Sequence, residues 1–148
     1  MLYRESPTGL EVLLVHPGGP FWARKDDGSW SIPKGEFDES EDPFAAAKRE
    51  FEEETGVAVS GDAVSLGDVR QPGGKIVHAW AMRGEFDPGQ LKSNTFRMEW
   101  PPRSGLQPEF PEVDRAEWFP MDVARKKIVN GQLPLLTRLA AELDRTRE

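Results

Sequence analysis

The chain has 148 residues, a formal net charge of −7 and no cysteine. The acidic balance excludes broad, sequence-independent binding to DNA or RNA, which needs a basic surface, but it leaves room for small anionic ligands held by a few cations or a metal ion. Without cysteine there is no disulfide, zinc–thiolate or thiol nucleophile. The start, Met1-Leu2-Tyr3-Arg4-Glu5, lacks the apolar centre of a secretory signal, and the longest apolar stretch, residues 10–15, is too short to cross a bilayer. The expectation is a cytoplasmic protein with no membrane partner, and the length fits one domain over residues 1–148. Oligomeric state is not legible.

Residues 10–16 are apolar and β-branched and stop at Pro17-Gly18-Gly19-Pro20, which predicts a strand ended by breakers. A loop with Phe21, Trp22 and the turn Asp26-Asp27-Gly28 follows. Trp30-Ser31-Ile32 is held extended by Pro33. Asp42-Pro43 opens a helix over residues 44–55, with Asp as cap and Pro in the first turn, and Gly56 ends it. On that helix Ala47 and Phe51 form an apolar pair expected to face the core.

Residues 63–70 predict a strand, 71–74 a turn and 75–82 a second strand whose Ile76, His78, Trp80 and Met82 share one face. Asp87-Pro88-Gly89 is a turn. The alternation at Phe96, Met98 and Trp100 predicts a strand ending at Pro101-Pro102, then a loop over 103–111 and a short strand over 116–119. Asp122 is expected to cap a helix through Ile128, and residues 133–145 form a last helix with Leu135, Leu136, Leu139 and Leu143 as its apolar stripe. Interleaved strands and helices predict a mixed sheet covered by helices.

The run Arg49-Glu50-Phe51-Glu52-Glu53-Glu54 carries the chemistry. Glu50, Glu53 and Glu54 stand three and four apart, so a helix crowds them on one side, where they repel. They also lie near the helix C-terminus, where the macrodipole disfavours anions. A divalent cation reverses both penalties, and Mg²⁺ prefers carboxylate oxygens while keeping waters and substrate phosphates as further ligands. The plainer reading of a Glu-rich helix is a solvated acidic face.

The surroundings decide between them. Gly35, five residues, Glu41, seven residues, Arg49-Glu50, the apolar Phe51, one residue, Glu53-Glu54, one residue, Gly56 and the apolar Val57 reproduce the full signature of the Nudix hydrolase family at its spacing. The chain is thereby identified as resembling that family. The resemblance implies a Nudix-type α/β/α sandwich with a mixed β-sheet and a pyrophosphohydrolase in which water cuts a phosphoanhydride bond of a nucleoside diphosphate derivative. It implies Mg²⁺, or Mn²⁺ in its place. Glu50 and Glu54 would be the main metal ligands, Glu53 a further ligand or the base, and Gly35 a carbonyl ligand. Glu41 would pair with Arg49, Arg49 would orient a catalytic carboxylate, and Gly56 would stop the helix. A Nudix-like module that binds a nucleotide without cutting it is the alternative.

Residues outside the signature bear on substrate. Trp30 through Gly35 resembles the lead-in of Nudix enzymes acting on dinucleoside polyphosphates, diphosphoinositol polyphosphates and some nucleoside triphosphates, with Lys34 placed to meet a phosphate. Lys75 and the residues after it look similar to the phosphate-facing strand of diadenosine tetraphosphate hydrolases, although the tyrosine often found there is missing. These features lean towards dinucleoside polyphosphates or nucleoside triphosphates. Phe21, Trp22 and Trp100 could stack on a base, with packing the commoner role for each. His78 is expected to be a satisfied structural histidine. Glu112, near the last strand, is expected to be an additional catalytic acid of the kind many Nudix enzymes keep. The family's first strand usually begins earlier than Met1 here, which leaves the first sheet edge as the open point.

Overall fold

The computed structural model describes residues 1–33 and 42–146. Strands β1 (Leu2–Ser6) and β2 (Gly9–Pro17) precede helix α1 (Pro43–Thr55), and β3 (Ala63–Arg70) and β4 (Ile76–Arg83) follow it. Two short strands, β5 (Thr95–Arg97) and β6 (Glu109–Pro111), lead to β7 (Val113–Pro120), α2 (Met121–Lys127) and α3 (Leu133–Thr146). The main sheet has the order β3-β4-β1-β2-β7. Among the described strands of this sheet, β1 and β4 run parallel, with Leu2 opposite Met82, and the other neighbours are antiparallel. β1 therefore lies in the middle of the sheet and is not an edge.

β2 shows why the fold has three layers. Side chains alternate across a strand, and Val12 through Val15 are all buried. Val12 and Leu14 join one core with Trp30, Ala79, Ala124, Leu135, Leu136 and Leu139, beneath α2 and α3. Leu13 and Val15 join the other with Phe51, Met82, Phe86 and Ala116, beneath α1. A strand covered on both faces reads as a continuous apolar run, as residues 12–15 do. The result is the α/β/α sandwich with a mixed sheet.

Several boundaries differ from expectation. The loop predicted over 103–111 contains β6, which pairs with β5 in a second, two-stranded sheet. The strand expected to run to Pro101-Pro102 stops at Arg97, although Met98 and Trp100 still donate to the carbonyls of Pro108 and Leu106. A three-residue strand leaves too few alternating positions to be recognised, and β6 also follows Pro108 and ends on Pro111. The strand expected over 116–119 is longer, Val113–Pro120. Pro120, not Asp122, sits at the start of α2, and no side chain caps it; Asp122 falls in the first turn, where its charge meets the helix dipole favourably. On α1 the buried residues are Ala46, Phe51 and Thr55, so Ala46 takes the place expected for Ala47, which is half-buried at a cavity.

The segment before residue 34 is clamped. Ser31 exchanges two backbone hydrogen bonds with Val15, and Trp30 is bonded to Lys127 and Val129. The buried Gln132 side chain accepts from the Ile32 N–H at 3.0 Å and donates to Gln71. Among the described residues, no helix is long and apolar enough to cross a membrane.

Candidate functional site

Helix α1 is built by local rules. Asp42 accepts the Ala45 N–H at 3.0 Å, Pro43 fills the first turn, and Gly56 closes the end with φ 82°. Glycine is required at 56 twice over, because a Cβ there would lie 2.8 Å from Lys92 Cβ and its carbonyl oxygen.

The helix presents its acids unequally. Glu52 is exposed, whereas Glu50, Glu53 and Glu54 are half-buried. The Glu50 side chain keeps only 15% of its surface, against 38% for Glu53. Arg49 Nη1 donates to Glu50 Oε1 at 3.0 Å and to Glu53 Oε1 at 3.1 Å. Burial, and then the charge of Glu53, push the Glu50 carboxyl above its usual range, and Arg49 pulls it back in part. Arg49, expected to orient a catalytic carboxylate, thus contacts two of the three acids, Glu50 and Glu53. Lys34, Gly35 and Glu41 lie outside the described residues, and the Glu41–Arg49 pair with them.

The end of α1 is tied to the rest of the site through backbone. Lys92 N–H donates to the Thr55 carbonyl and Asn94 N–H to the Glu53 carbonyl, both at 2.9 Å. Glu112 N–H donates to the Asn94 carbonyl at 2.8 Å, and Gly18 N–H to the Glu112 carbonyl at 2.9 Å. Gly18 has no room for a side chain, since a Cβ would overlap the Pro111 carbonyl oxygen. Glu112, expected as a further acid, is therefore exposed two hydrogen-bond steps from Glu53. Asn94 and Gly18, which make this connection, carry no sequence signal that reveals it.

Lys75 lies at the exposed tip of the β3–β4 hairpin, where its carbonyl accepts the Gln71 N–H. Beside the first turns of α1 is a cavity of about 70 Å³, lined by Pro33, Phe44, Ala47, Lys48, His78 and Trp80 among others. Phe44 stacks on Trp80 with centroids 5.4 Å apart. His78 meets Asp68 through Nδ1 and Ser65 through Nε2, the satisfied histidine expected.

Among the described residues no three acids or histidines close into a ready metal cage. The donor set nevertheless fits a hard divalent cation: oxygen ligands only, on one flank of one helix, with Glu50 and Glu53 sharing the Arg49 guanidinium.

The pattern of the NUDIX domain matches residues 2–139. The chain belongs to the Nudix hydrolase family. Curated relatives agree. The 8-oxo-(d)GTP phosphatase of Mycolicibacterium smegmatis is 34% identical over 129 residues, 82% of this chain, although the chain spans only 31% of that protein's length. The RNA pyrophosphohydrolase of Rhizobium meliloti is 33% identical over 136 residues, covering 74% of this chain and 76% of the relative. In structure, this Nudix domain resembles a C. elegans Ap4A hydrolase binary complex with TM-score 0.64 and 22% identity, covering 97% of this chain and 93% of the other. The NUDIX domain of Shewanella oneidensis NrtR complexed with ADP ribose also gives TM-score 0.64, at 20% identity, 96% of this chain and 83% of the other.

Proposed function

We propose that this Nudix hydrolase cuts a phosphoanhydride bond of a nucleotide polyphosphate, with water as nucleophile and Mg²⁺, or Mn²⁺, held by Glu50, Glu53 and Glu54 together with the Gly35 carbonyl. The observation that carries the reading is the half-buried Glu50 carboxyl, raised by burial and by Glu53 while Arg49 spans both. A helix that keeps these acids together at a stability cost is arranged for a cation.

When bound, the metal would neutralise polyphosphate oxygens and lower the pKa of an attacking water. The chain supplies the rest. Glu53 takes a proton from water, Arg49 fixes the two carboxylates, and Glu112 adds a further acid near the end of α1. Lys34 meets the polyphosphate, Glu41 steadies Arg49, and Lys75 draws the anion in from the hairpin tip. One P–O–P bridge breaks and one P–O bond to water forms.

For substrate the reading leans to dinucleoside polyphosphates or nucleoside triphosphates. It is supported by the stretch from Trp30 to Gly35 and by relatives named for 8-oxo-(d)GTP and for RNA. Residues 1–148 act as one domain, in the cytoplasm, on a small-molecule nucleotide.

The test is a panel of nucleoside triphosphates, 8-oxo-dGTP and dinucleoside tetraphosphates incubated with Mg²⁺ or Mn²⁺, with products separated by chromatography. Metal-dependent cleavage is expected, giving a nucleotide and phosphate or pyrophosphate from a nucleoside triphosphate and two nucleotides from a dinucleoside tetraphosphate. Binding without turnover across the panel would reduce the protein to a nucleotide-binding module.

A further inference from the structure

Large apolar side chains left together in water call for an explanation. Phe21 is 62% exposed and Trp22 39%, so neither serves the core; Leu106, on the neighbouring hairpin, is 61% exposed. The segment that carries them is held firmly. Phe21 meets the edge of Trp100 with centroids 5.5 Å apart at 76°. Trp22 N–H donates to the Gly19 carbonyl and Lys25 N–H to the Trp22 carbonyl. The fully buried His16 bridges Asp114 Oδ1 at 2.7 Å and the Lys25 carbonyl at 2.6 Å, anchoring the loop to β7. Gly19, at φ 95°, lies against the Phe96 ring, which a Cβ would approach to 2.9 Å. Rigid, exposed aromatics of this kind offer contact area at little entropic cost.

The loop is tied to the end of α1 through backbone. Three backbone hydrogen bonds lead from Glu53 through Asn94 and Glu112 to Gly18, three residues before Phe21. The loop sets two cations, Arg24 and Lys25, beside the aromatics, while the Asp26 and Asp27 that follow pair with Lys127. Lys25 Nζ lies 5.0 Å from the centre of the Trp22 ring, and Arg24 is exposed between them in sequence. Aromatic faces edged by cations match an aromatic anion, and a flat ring on an exposed aromatic is a sequence-tolerant contact.

We propose that Phe21 and Trp22, braced by Trp100, stack the nucleobase of a nucleotide whose polyphosphate lies on α1, with Lys25 as the adjoining cation. The proposal rests on the function above for the position of the polyphosphate and adds the element that recognises the base.

Equilibrium titrations in Mg²⁺, faster than turnover, of ATP and of inorganic tripolyphosphate separate the base from the charge. The wild type should bind ATP more tightly than tripolyphosphate. A Phe21→Ala/Trp22→Ala double variant should lose about 5- to 150-fold in ATP affinity, the range expected for one base–aromatic stack, with tripolyphosphate affinity unchanged. Phe21→Tyr/Trp22→Phe should restore ATP binding, and unchanged thermal melting should show the double variant folded. Equal affinity of the wild type for both ligands would overturn the proposal, as would equal weakening of both. So would a shift from dimer to monomer in sedimentation with ATP affinity kept, which would make the patch a self-interface. These titrations read the base and not the chemistry, so absence of turnover would remove the proposed hydrolysis while the ATP–tripolyphosphate difference still decides the platform.

Discussion

Helices α1 and α3 lie on opposite faces of one sheet and have nearly equal length, 13 and 14 residues, yet they are built for different ends. α3 places Leu135, Leu136 and Leu139 in the core with no exposed surface. α1 buries two apolar residues, Ala46 and Phe51, with Thr55, and keeps three acids half-buried on one flank. α3 is what a stable sandwich needs. α1 gives up part of that stability to hold like charges together near a helix end that repels them, as functional elements often do.

Substitutions should separate the two helices cleanly. The largest effect belongs to α1: Glu53→Gln and Glu54→Gln should each lower turnover on a confirmed substrate by about 10²- to 10⁴-fold, the scale of a lost acid–base or metal-binding group, with thermal stability kept or raised. Steady-state kinetics beside a melting curve measure both. Near-wild-type rates in both variants would remove α1 from the chemistry. Leu136→Ala in α3 should do the reverse, costing about 2–5 kcal/mol of stability through lost burial and a cavity while kcat of the folded protein holds; denaturant unfolding measures it.

A smaller effect sharpens the contrast through pH. The Glu50 carboxyl is held above its usual range, first by burial and then by Glu53, so the folded state binds this proton more tightly than the unfolded state. Its contribution to stability is complete below the ordinary glutamate range, about pH 4.3, and is lost as pH rises through the raised value. In a chelator, melting from about pH 4 upward should show this loss, and Glu50→Gln should abolish it. A pH profile shared by wild type and variant would contradict the assignment.

What was legible in the sequence follows the range of the interactions. Asp42, Pro43 and Gly56 mark α1 because caps act within one turn, and the spacing of Glu50, Glu53 and Glu54 is enough to group them on one flank. β2 and the stripe of α3 are legible for the same reason. The closure of α1 by Lys92 and Asn94, and the link through Glu112 to Gly18, depend on backbone bonds between segments distant in sequence. β6 is hidden by its brevity and prolines. Exposed Phe21 and Trp22 look identical, in sequence, to loop aromatics that pack inward; only their surroundings distinguish them.

The central claim is that the acids of α1 are held together for a divalent cation. The most direct measurement is thermal melting during a Mg²⁺ titration of the wild type and of a Glu50→Gln/Glu53→Gln/Glu54→Gln variant. A ligand that binds only the folded state stabilises it by RT ln(1 + [L]/Kd). The wild-type melting temperature should climb with Mg²⁺ and the variant, with a higher metal-free value, should stay flat. A wild type indifferent to Mg²⁺, or a variant that climbs equally, would contradict the account.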